Sequence, residues 1–191
     1  MALRVVAGSA GGRHLKTPKG HDLRPTQDRI KQAMFSALGA RVPEARVLDL
    51  YAGTGALGIE ALSRGAASAL FVEKNRTACR TIAENLALCK LEGRVVERDA
   101  LDYLARNPPL PHDLVFADPP YDKTEGDSSL HPVFARVRPW LADDGLFVWE
   151  FFSGQELAAP AGWTVRLHRT YGETAVAILS LDPQSPPLES A

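Results

Sequence analysis

From residue 45 onward, short apolar runs alternate with helical patterns, and this alternation constrains the fold more than any other feature. The apolar runs lie at residues 46–50, 69–73, 94–98, 113–117 and 146–150, and the helical patterns lie at about 56–64, 76–90, 101–106 and 132–140. Strands separated by helices pair in parallel, because each crossover returns the chain to the same end of the sheet. The sequence therefore predicts an α/β fold with a doubly wound, mostly parallel sheet.

The C-terminal part follows a different pattern. Apolar runs at residues 163–169 and 174–181 flank the short turn Tyr171-Gly172-Glu173. Strands joined by so short a turn pair antiparallel, so we predict a hairpin added to one edge of the sheet. Residues 182–191 contain little to bury and are predicted to form a loose tail.

Residues 1–44 are predicted to form a basic unit in front of a main domain at 45–181. Residues 1–20 have the pattern of a small β-ribbon, and a helix is predicted from Thr26 as its N-cap to Gly39. Residues 1–46 carry nine Lys and Arg against three Asp and Glu, whereas the whole chain has a net charge of −1. This asymmetry favours contact with a polyanion; the alternative is a solvated arm without a partner.

The composition favours a globular protein in a reducing compartment. Hydrophobic residues make up 45% of the chain, and no apolar run approaches the roughly 18 residues of a membrane helix or resembles a secretory signal. Cys79 and Cys89 fall in one predicted helix roughly 15 Å apart, beyond disulfide reach, so we expect a cytoplasmic protein. The histidines and cysteines lack metal-ligand spacing, and no metal site is predicted.

A glycine-rich turn follows the first predicted strand. Gly53, Gly55 and Gly58 match the dinucleotide-binding fingerprint, in which a ligand approaches the backbone and the start of the next helix offers free N–H groups. Asp49 at the strand end would repel a pyrophosphate but attract an ammonium group. The motif therefore favours an adenosine cofactor other than NAD, with an NAD-dependent oxidoreductase as the alternative.

Two carboxylates close the next two predicted strands. Glu73 can accept hydrogen bonds from both hydroxyls of an adenosine ribose, or it can be an exposed acid. Asp99 can accept from an adenine amino group beside the Ala100 N–H, or it can cap the following helix. The candidate cofactor-binding residues are Asp49, Tyr51, Gly53, Thr54, Gly55, Glu73, Lys74, Asp99 and Ala100.

A second motif, Asp118-Pro119-Pro120-Tyr121, follows the fourth predicted strand. The prolines stiffen the turn and supply carbonyls without donors, and Asp118 presents an acceptor where ligands bind in open α/β sheets. Tyr121 offers a ring on which a planar base can stack. The four residues suit a substrate with an exocyclic amine. Their oxygens can accept the hydrogen bonds of the amine, which leaves the nitrogen lone pair free to attack the methyl group of a sulfonium.

Taken in order, these motifs resemble those of class I S-adenosylmethionine-dependent amino-methyltransferases. Five segments resemble one particular family within this class. They are Arg4–Gly8, Gly12–Leu15, Leu23–Arg29, Leu48–Ala66 and Tyr171–Thr174. These segments are similar to the bacterial small-subunit rRNA guanine-N2 methyltransferase family called RsmD, from about Leu3 to Leu181.

The resemblance implies a Rossmann-like fold with a seven-stranded sheet, and an N-terminal β-ribbon and helix that help to hold RNA. It implies S-adenosylmethionine as cofactor, catalysis by Asp118 through Tyr121, and methylation of N2 of a 16S rRNA guanine, of the guanine-966 type. RNA contacts are expected from Arg13, Arg24 and Arg29. The expected partner is small-subunit rRNA or a 30S assembly intermediate, and the protein is expected to be a monomer. Gln32 stands where family members often carry Glu.

Besides the NAD-dependent oxidoreductase, three other functions remain open from the sequence. Asp-Pro-Pro-Tyr also occurs in DNA adenine-N6 methyltransferases, although 191 residues leave no separate target-recognition domain. Glutamine-N5 methyltransferases usually carry Asn at the first motif position, which disfavours them. A non-catalytic RNA-binding module would retain the basic segment without using the second motif.

Overall fold

The computed structural model describes residues 3–17, 26–120, 126–158 and 160–182, and its centre is a seven-stranded sheet. The strands are β1 (Arg46–Leu50), β2 (Ser68–Glu73), β3 (Arg94–Glu97), β4 (His112–Ala117), β5 (Leu141–Phe152), β6 (Trp163–Tyr171) and β7 (Thr174–Leu181). The helices are α1 (Thr26–Leu38), α2 (Ala56–Ser63), α3 (Arg76–Cys89), α4 (Ala100–Arg106) and α5 (Val133–Val137), with 3-10 turns at Gly39–Arg41, Ser128–Leu130 and Arg138–Trp140.

The strand order is β3-β2-β1-β4-β5-β7-β6. Strands β1 to β5 pair in parallel, and β7 lies antiparallel to both β5 and β6. The strand order reverses between β1 and β4, which opens a crevice at the carboxyl ends of these strands. The doubly wound sheet with an antiparallel hairpin at one edge is therefore confirmed.

Two elements of the main domain differ from the sequence prediction by three residues or more at one end. Strand β5 begins at Leu141 rather than at 146, because a register shift between His112 and Leu114 of β4 lets Leu141 pair with His112. Helix α5 ends at Val137, and Pro139 lies in the 3-10 turn that follows. Proline has no N–H for the α-helical ladder, which explains the early end.

Residues 3–17, here called the N-terminal segment, form a minimal antiparallel ribbon. Arg4 pairs with His14 in a single bridge, and the Leu15 N–H donates to the Leu3 carbonyl at 2.7 Å. Leu3, Val5, Ala10 and Leu15 are buried in the same apolar cluster as residues of α1, α2 and β1. The N-terminal segment thus packs against the sheet layer, which excludes a free solvated arm for these residues.

A buried acid of α2 holds the N-terminal segment in place. The carboxylate of Glu60 is fully buried and accepts from the N–H groups of Val6 at 2.7 Å and Ala7 at 3.0 Å. It also pairs with Lys31 of α1 at 3.6 Å and with Arg64 at 2.7 Å. Sequence analysis assigned no role to Glu60, and its signal was an acid within the apolar helix α2.

Ser63, one helical turn further along α2, makes a second attachment. Its hydroxyl accepts from the Ala10 N–H at 2.9 Å and donates to the Ala7 carbonyl at 2.6 Å. Between them Gly8 has a φ of 85°, and a Cβ there would lie 1.8 Å from the Ser63 carbonyl oxygen. Only glycine allows this close approach of the N-terminal segment to α2.

Candidate active site

The predicted acids meet at the carboxyl edge of the sheet. In the parallel pairing of β1 with β4, Asp49 lies opposite Phe116 and Leu50 lies opposite Ala117. Asp118 therefore follows β4 immediately beside the turn that leaves β1. Glu73 ends the neighbouring strand β2, so the sheet brings residues from three separate motifs to one crevice.

Asp49 is buried at the base of this crevice. Its Oδ2 accepts from the Gly58 N–H at 2.9 Å, which ties the strand end to helix α2. Burial, with a smaller contribution from Glu73 and against the hydrogen bond from Gly58, raises the pKa of Asp49 to about 8. Gly58 has no room for a side chain, because a Cβ would lie 2.3 Å from the ring of Phe71.

The turn of residues 51–55, here called the glycine loop, leads from β1 into α2. Gly53 and Gly55 have left-handed φ values of 55° and 78°, as their place in a tight turn requires. Tyr51 also has a positive φ of 58°, which is uncommon for a residue with a side chain. The loop closes through a hydrogen bond from the Gly55 N–H to the Ala52 carbonyl at 2.7 Å.

Glu73 is positioned by backbone groups on both sides. Its Oε2 accepts from the Gly53 N–H at 2.9 Å, and its Oε1 accepts from the Asn75 N–H at 2.8 Å. Each carboxylate oxygen can accept further bonds, so the side chain is oriented without losing its capacity for ribose hydroxyls. Lys74, the next residue, is exposed.

Asp99 caps helix α4, as the alternative interpretation expected. Its Oδ1 accepts from the N–H groups of Leu101 at 2.9 Å and Asp102 at 3.2 Å. Ala100 is the first residue of α4 and is buried. Contact of Asp99 and Ala100 with an adenine stays a prediction, and the cap orients the carboxylate at the rim of the crevice.

The Tyr51 hydroxyl is a buried polar group of the glycine loop. Its oxygen is buried, and within the part of the chain that the structure describes it has no hydrogen-bond partner. Burial, together with the negative charge of Asp99, raises the pKa of Tyr51 to about 12. A buried hydroxyl without a partner is costly, and a cofactor with polar groups would satisfy it.

Asp118 lies at the mouth of the crevice and is open to solvent. Burial raises its pKa well above the ordinary value, and the carboxylates of Glu150 and Asp49 raise it further. Pro119 is buried and Pro120 is exposed. The predicted stacking residue Tyr121 lies outside the described residues.

The predicted RNA-binding arginines divide into three cases. Arg13 donates through Nη1 to the Leu88 carbonyl near the end of α3. Arg29 is exposed on α1 and makes no ion pair with any residue that the structure describes. Arg24 lies outside the described residues.

Most other basic side chains near the N-terminus pair with acids. The pairs are Arg4–Asp28 at 2.9 Å, Lys16–Glu84 at 2.8 Å, Lys31–Glu60 at 3.6 Å, Arg41–Asp144 at 3.1 Å and Arg46–Asp113 at 3.1 Å. These five cations are therefore paired within the fold, and RNA contact by the basic segment stays a prediction. Each had an acid partner in the folded chain that net charge does not reveal.

Asn85 is a site residue that sequence analysis missed. It is buried in α3, and its Oδ1 accepts from the Lys16 N–H at 2.8 Å. Its Nδ2 donates to the carbonyls of Lys16 at 3.1 Å and Thr54 at 3.0 Å. One amide thus joins the N-terminal segment to the glycine loop. Its signal was a polar residue next to Leu86 on the apolar face of α3.

Within the described residues, the structure shows neither a metal-binding cluster nor a membrane-spanning helix. No group of three or more His, Cys, Asp or Glu side chains there is arranged to hold a metal ion. Among the helices in the same ranges, none is both long and apolar enough to cross a membrane.

Relatives with known names cover almost the whole chain. A family model described as Conserved hypothetical protein 95 matches residues 3–180. The ribosomal RNA small subunit methyltransferase D of Escherichia coli K12 is 34% identical over 184 residues, which cover 95% of this chain and 91% of that protein. The Haemophilus influenzae protein of the same name is 32% identical over 174 residues, or 89% of each.

Solved structures agree with this relationship. The structure of yhhF from Escherichia coli matches with a TM-score of 0.82 and 34% identity, covering 96% of this chain and all of that chain. The Thermus thermophilus 16S rRNA N2 G1207 methyltransferase, solved with AdoMet and guanosine, has a TM-score of 0.68 at 20% identity. It covers 86% of this chain and 45% of its own chain, and it supports the fold alone.

The fold and the crevice define a class I S-adenosylmethionine-dependent methyltransferase. The strand order, the glycine loop after β1 and the Asp-Pro-Pro turn after β4 are the features that carry this assignment. The chain belongs to the family of the ribosomal RNA small subunit methyltransferase D.

Proposed function

We propose that this protein transfers a methyl group from S-adenosylmethionine to the exocyclic N2 of a guanine in small-subunit rRNA. The observation that carries the proposal is Asp118, a solvent-accessible carboxylate at the end of β4, at the mouth of a crevice that begins at buried Asp49. The names of the Escherichia coli and Haemophilus influenzae relatives support a substrate in small-subunit rRNA.

The residues of the crevice fit the proposed cofactor. Asp49 would pair with the ammonium group of its methionine part, and Glu73 would accept from the ribose hydroxyls. Asp99 and the Ala100 N–H would meet the adenine, and the buried Tyr51 hydroxyl would gain its missing partner. Gly53, Thr54, Gly55 and Lys74 would border the ligand through the glycine loop and the end of β2.

Asp118 and Pro119 would hold the target amine. The Asp118 carboxylate accepts one hydrogen of N2 and the Pro119 carbonyl accepts the other, which frees the nitrogen lone pair. When bound, the cofactor supplies a methyl group that leaves a sulfonium sulfur, with the bonding electrons remaining on sulfur. The proton lost by the methylated nitrogen passes to Asp118, whose raised pKa suits it to accept a proton. Pro120 stiffens the turn and Tyr121 would stack on the base.

The N-terminal part would hold the RNA. With the paired cations set aside, we assign RNA contact to Arg13, Arg24 and Arg29, within an N-terminal unit at 1–44 before a catalytic domain at 45–181 and a tail at 182–191. Phe35 of α1 contacts Phe116 at a ring distance of 5.6 Å, two residues before Asp118. Helix α1 thus lies on the sheet face that leads to the target amine.

The form of the substrate is the finer part of the proposal. A guanine within an RNA hairpin must be unstacked from its neighbours before its N2 can reach Asp118. The enzyme therefore needs an RNA in which the target nucleotide is still exposed to the protein. We infer a monomer that acts in the cytoplasm on free 16S rRNA or on a 30S assembly intermediate. Incubation with naked rRNA and with partly assembled 30S particles separates the two substrates.

Two measurements test the proposal: which cofactor the protein binds, and which methylated nucleoside it forms. S-adenosylhomocysteine should raise the melting temperature of the protein and NAD should not, because Asp49 favours an ammonium group over a pyrophosphate. With tritiated cofactor and 16S rRNA, nucleoside mass spectrometry should find N2-methylguanosine. Stabilisation by NAD, or a product such as N6-methyladenine in DNA, would contradict the proposal.

A further inference from the structure

Strand pairing places a second carboxylate beside Asp118. In the parallel pairing of β4 with β5, Ala117 lies opposite Trp149. The next residues along the two strands are Asp118 and Glu150, which follow Phe116 and Val148 by two positions. Because side chains alternate along strands, Glu150 shares a sheet face with Asp118.

The electrostatics of Asp118 agree with this placement. Among the charges that raise the pKa of Asp118, Glu150 contributes more than Asp49. Glu150 itself is half-buried at a position on β5 whose neighbours Trp149 and Phe151 are buried. Two carboxylates at adjacent positions of neighbouring parallel strands repel each other, and a ligand with two adjacent donors would relieve this repulsion.

Guanine carries such a pair of donors. Its N1–H and its N2 amine lie side by side on the Watson–Crick edge, whereas adenine has an acceptor at N1 beside its N6 amine. A carboxylate next to the one that holds the amine would accept from the guanine N1–H and would repel the adenine N1 lone pair. The same pair of acids therefore favours guanine over adenine.

We propose that Glu150 is a specificity-determining residue, which accepts the N1–H of the target guanine while Asp118 and Pro119 hold its N2 amine. The inference rests on the proposed function, and it explains why this Asp-Pro-Pro turn acts on guanine rather than on adenine. The cofactor crevice lies on the other side of Asp118, so Glu150 selects the base without contacting the cofactor.

The test compares two bases that carry the same 2-amine. Synthetic RNA fragments contain either guanine or 2-aminopurine at the methylated position, and 2-aminopurine has an acceptor at N1 in place of the N1–H. We expect the wild type to methylate the guanine RNA roughly ten- to a hundredfold more efficiently in kcat/KM. In Glu150→Gln this preference should fall by about tenfold, because an amide can accept from N1–H or donate to N1.

The control is Glu92→Gln, the same chemical change at an exposed position after α3. It should keep the wild-type preference, and S-adenosylhomocysteine should stabilise both variants as it stabilises the wild type. An unchanged preference in folded Glu150→Gln would overturn the inference and leave the proposed function intact. Equal use of both RNAs by the wild type would overturn it without any variant. Absence of methyl transfer to guanine by the wild type would refute the proposed function itself, and the inference with it.

Discussion

The crevice and the N-terminal segment both concentrate charged residues, but they satisfy those charges differently. In the N-terminal segment and the elements around it, Arg4, Lys16 and Lys31 have acid partners within the folded chain. In the crevice, Asp49 and Asp118 both have raised pKa values because burial and neighbouring carboxylates oppose their charge. Charged side chains that are paired within the fold contribute to its structure. Acids whose pKa values are raised by burial and by like charges are candidates for ligand binding or catalysis.

The largest effect is expected from Asp118→Ala. This change should lower methyl transfer by about 10²- to 10⁴-fold, the range for a lost proton-accepting group, because the target amine loses its acceptor. Affinity for S-adenosylhomocysteine in calorimetry should stay near the wild-type value, since Asp118 is assigned to the substrate. Asp118→Asn should keep partial activity because its carbonyl still accepts one hydrogen bond. Full transfer by the Ala variant would remove Asp118 from the reaction.

Glu60→Ala should give the opposite result, a loss of stability with the chemistry spared in the folded protein. The change leaves Lys31 buried beside two unsatisfied backbone N–H groups, which should destabilise the fold by about 3–5 kcal/mol. Urea denaturation measures this loss. The matched variant Glu84→Ala removes an exposed acid and should change stability by less than about 1 kcal/mol. Equal effects would contradict the assignment of Glu60 as the main attachment of the N-terminal segment.

Asp49→Asn should stabilise the protein in a manner that depends on pH. The folded pKa of about 8 lies above the ordinary value of 3.8, so the folded state holds this proton more tightly than the unfolded state. Between about pH 4 and about pH 8 the unfolded state loses this proton while the folded state retains it, so stability falls progressively across this range, by up to a few kcal/mol. The melting temperature of Asp49→Asn should exceed that of the wild type by more at pH 8 than at pH 5.

The same variant should bind S-adenosylhomocysteine more weakly, because the amide lacks the charge that attracts the ammonium group. Its Oδ1 can still accept from Gly58, so the turn into α2 should persist. A variant that gains no stability at pH 8 would show that Asp49 is not strained in the free protein. Stronger stabilisation at pH 5 than at pH 8 would reverse the sign and exclude the raised pKa.

The smallest effect concerns Arg13 and Arg29, which have no acid partner among the described residues. Arg13→Ala and Arg29→Ala should each reduce the salt dependence of rRNA binding by about one unit of slope, because each removes one phosphate contact. Arg41→Ala is the matched control: Arg41 pairs with Asp144, and its loss should leave the slope unchanged. If all three variants behave alike, the distinction between paired and unpaired cations has no bearing on RNA binding.

Local sequence patterns were sufficient for most elements and for most of the crevice. Strand β1 and strand β7 have the predicted bounds, because apolar runs with β-branched residues and clear breakers define both ends. Asp49, Glu73 and Asp118 could be found because parallel strands align their carboxyl ends, whatever the sequence between them. Asp99 shows the limit of such patterns, since the position of a ligand-binding acid is also that of a helix cap.

The order of motifs along this chain thus indicated its fold class, the acids at the carboxyl ends of its strands and the turn that we propose to hold the target amine, because each motif is a short local pattern. The tertiary structure alone decided which charges are free. Arg46 meets Asp113 and Arg41 meets Asp144 across 67 and 103 residues, and Glu150 reaches Asp118 through the register of β5 on β4. Such pairs form only when distant segments of the chain meet in the folded protein, so neither composition nor spacing predicts them.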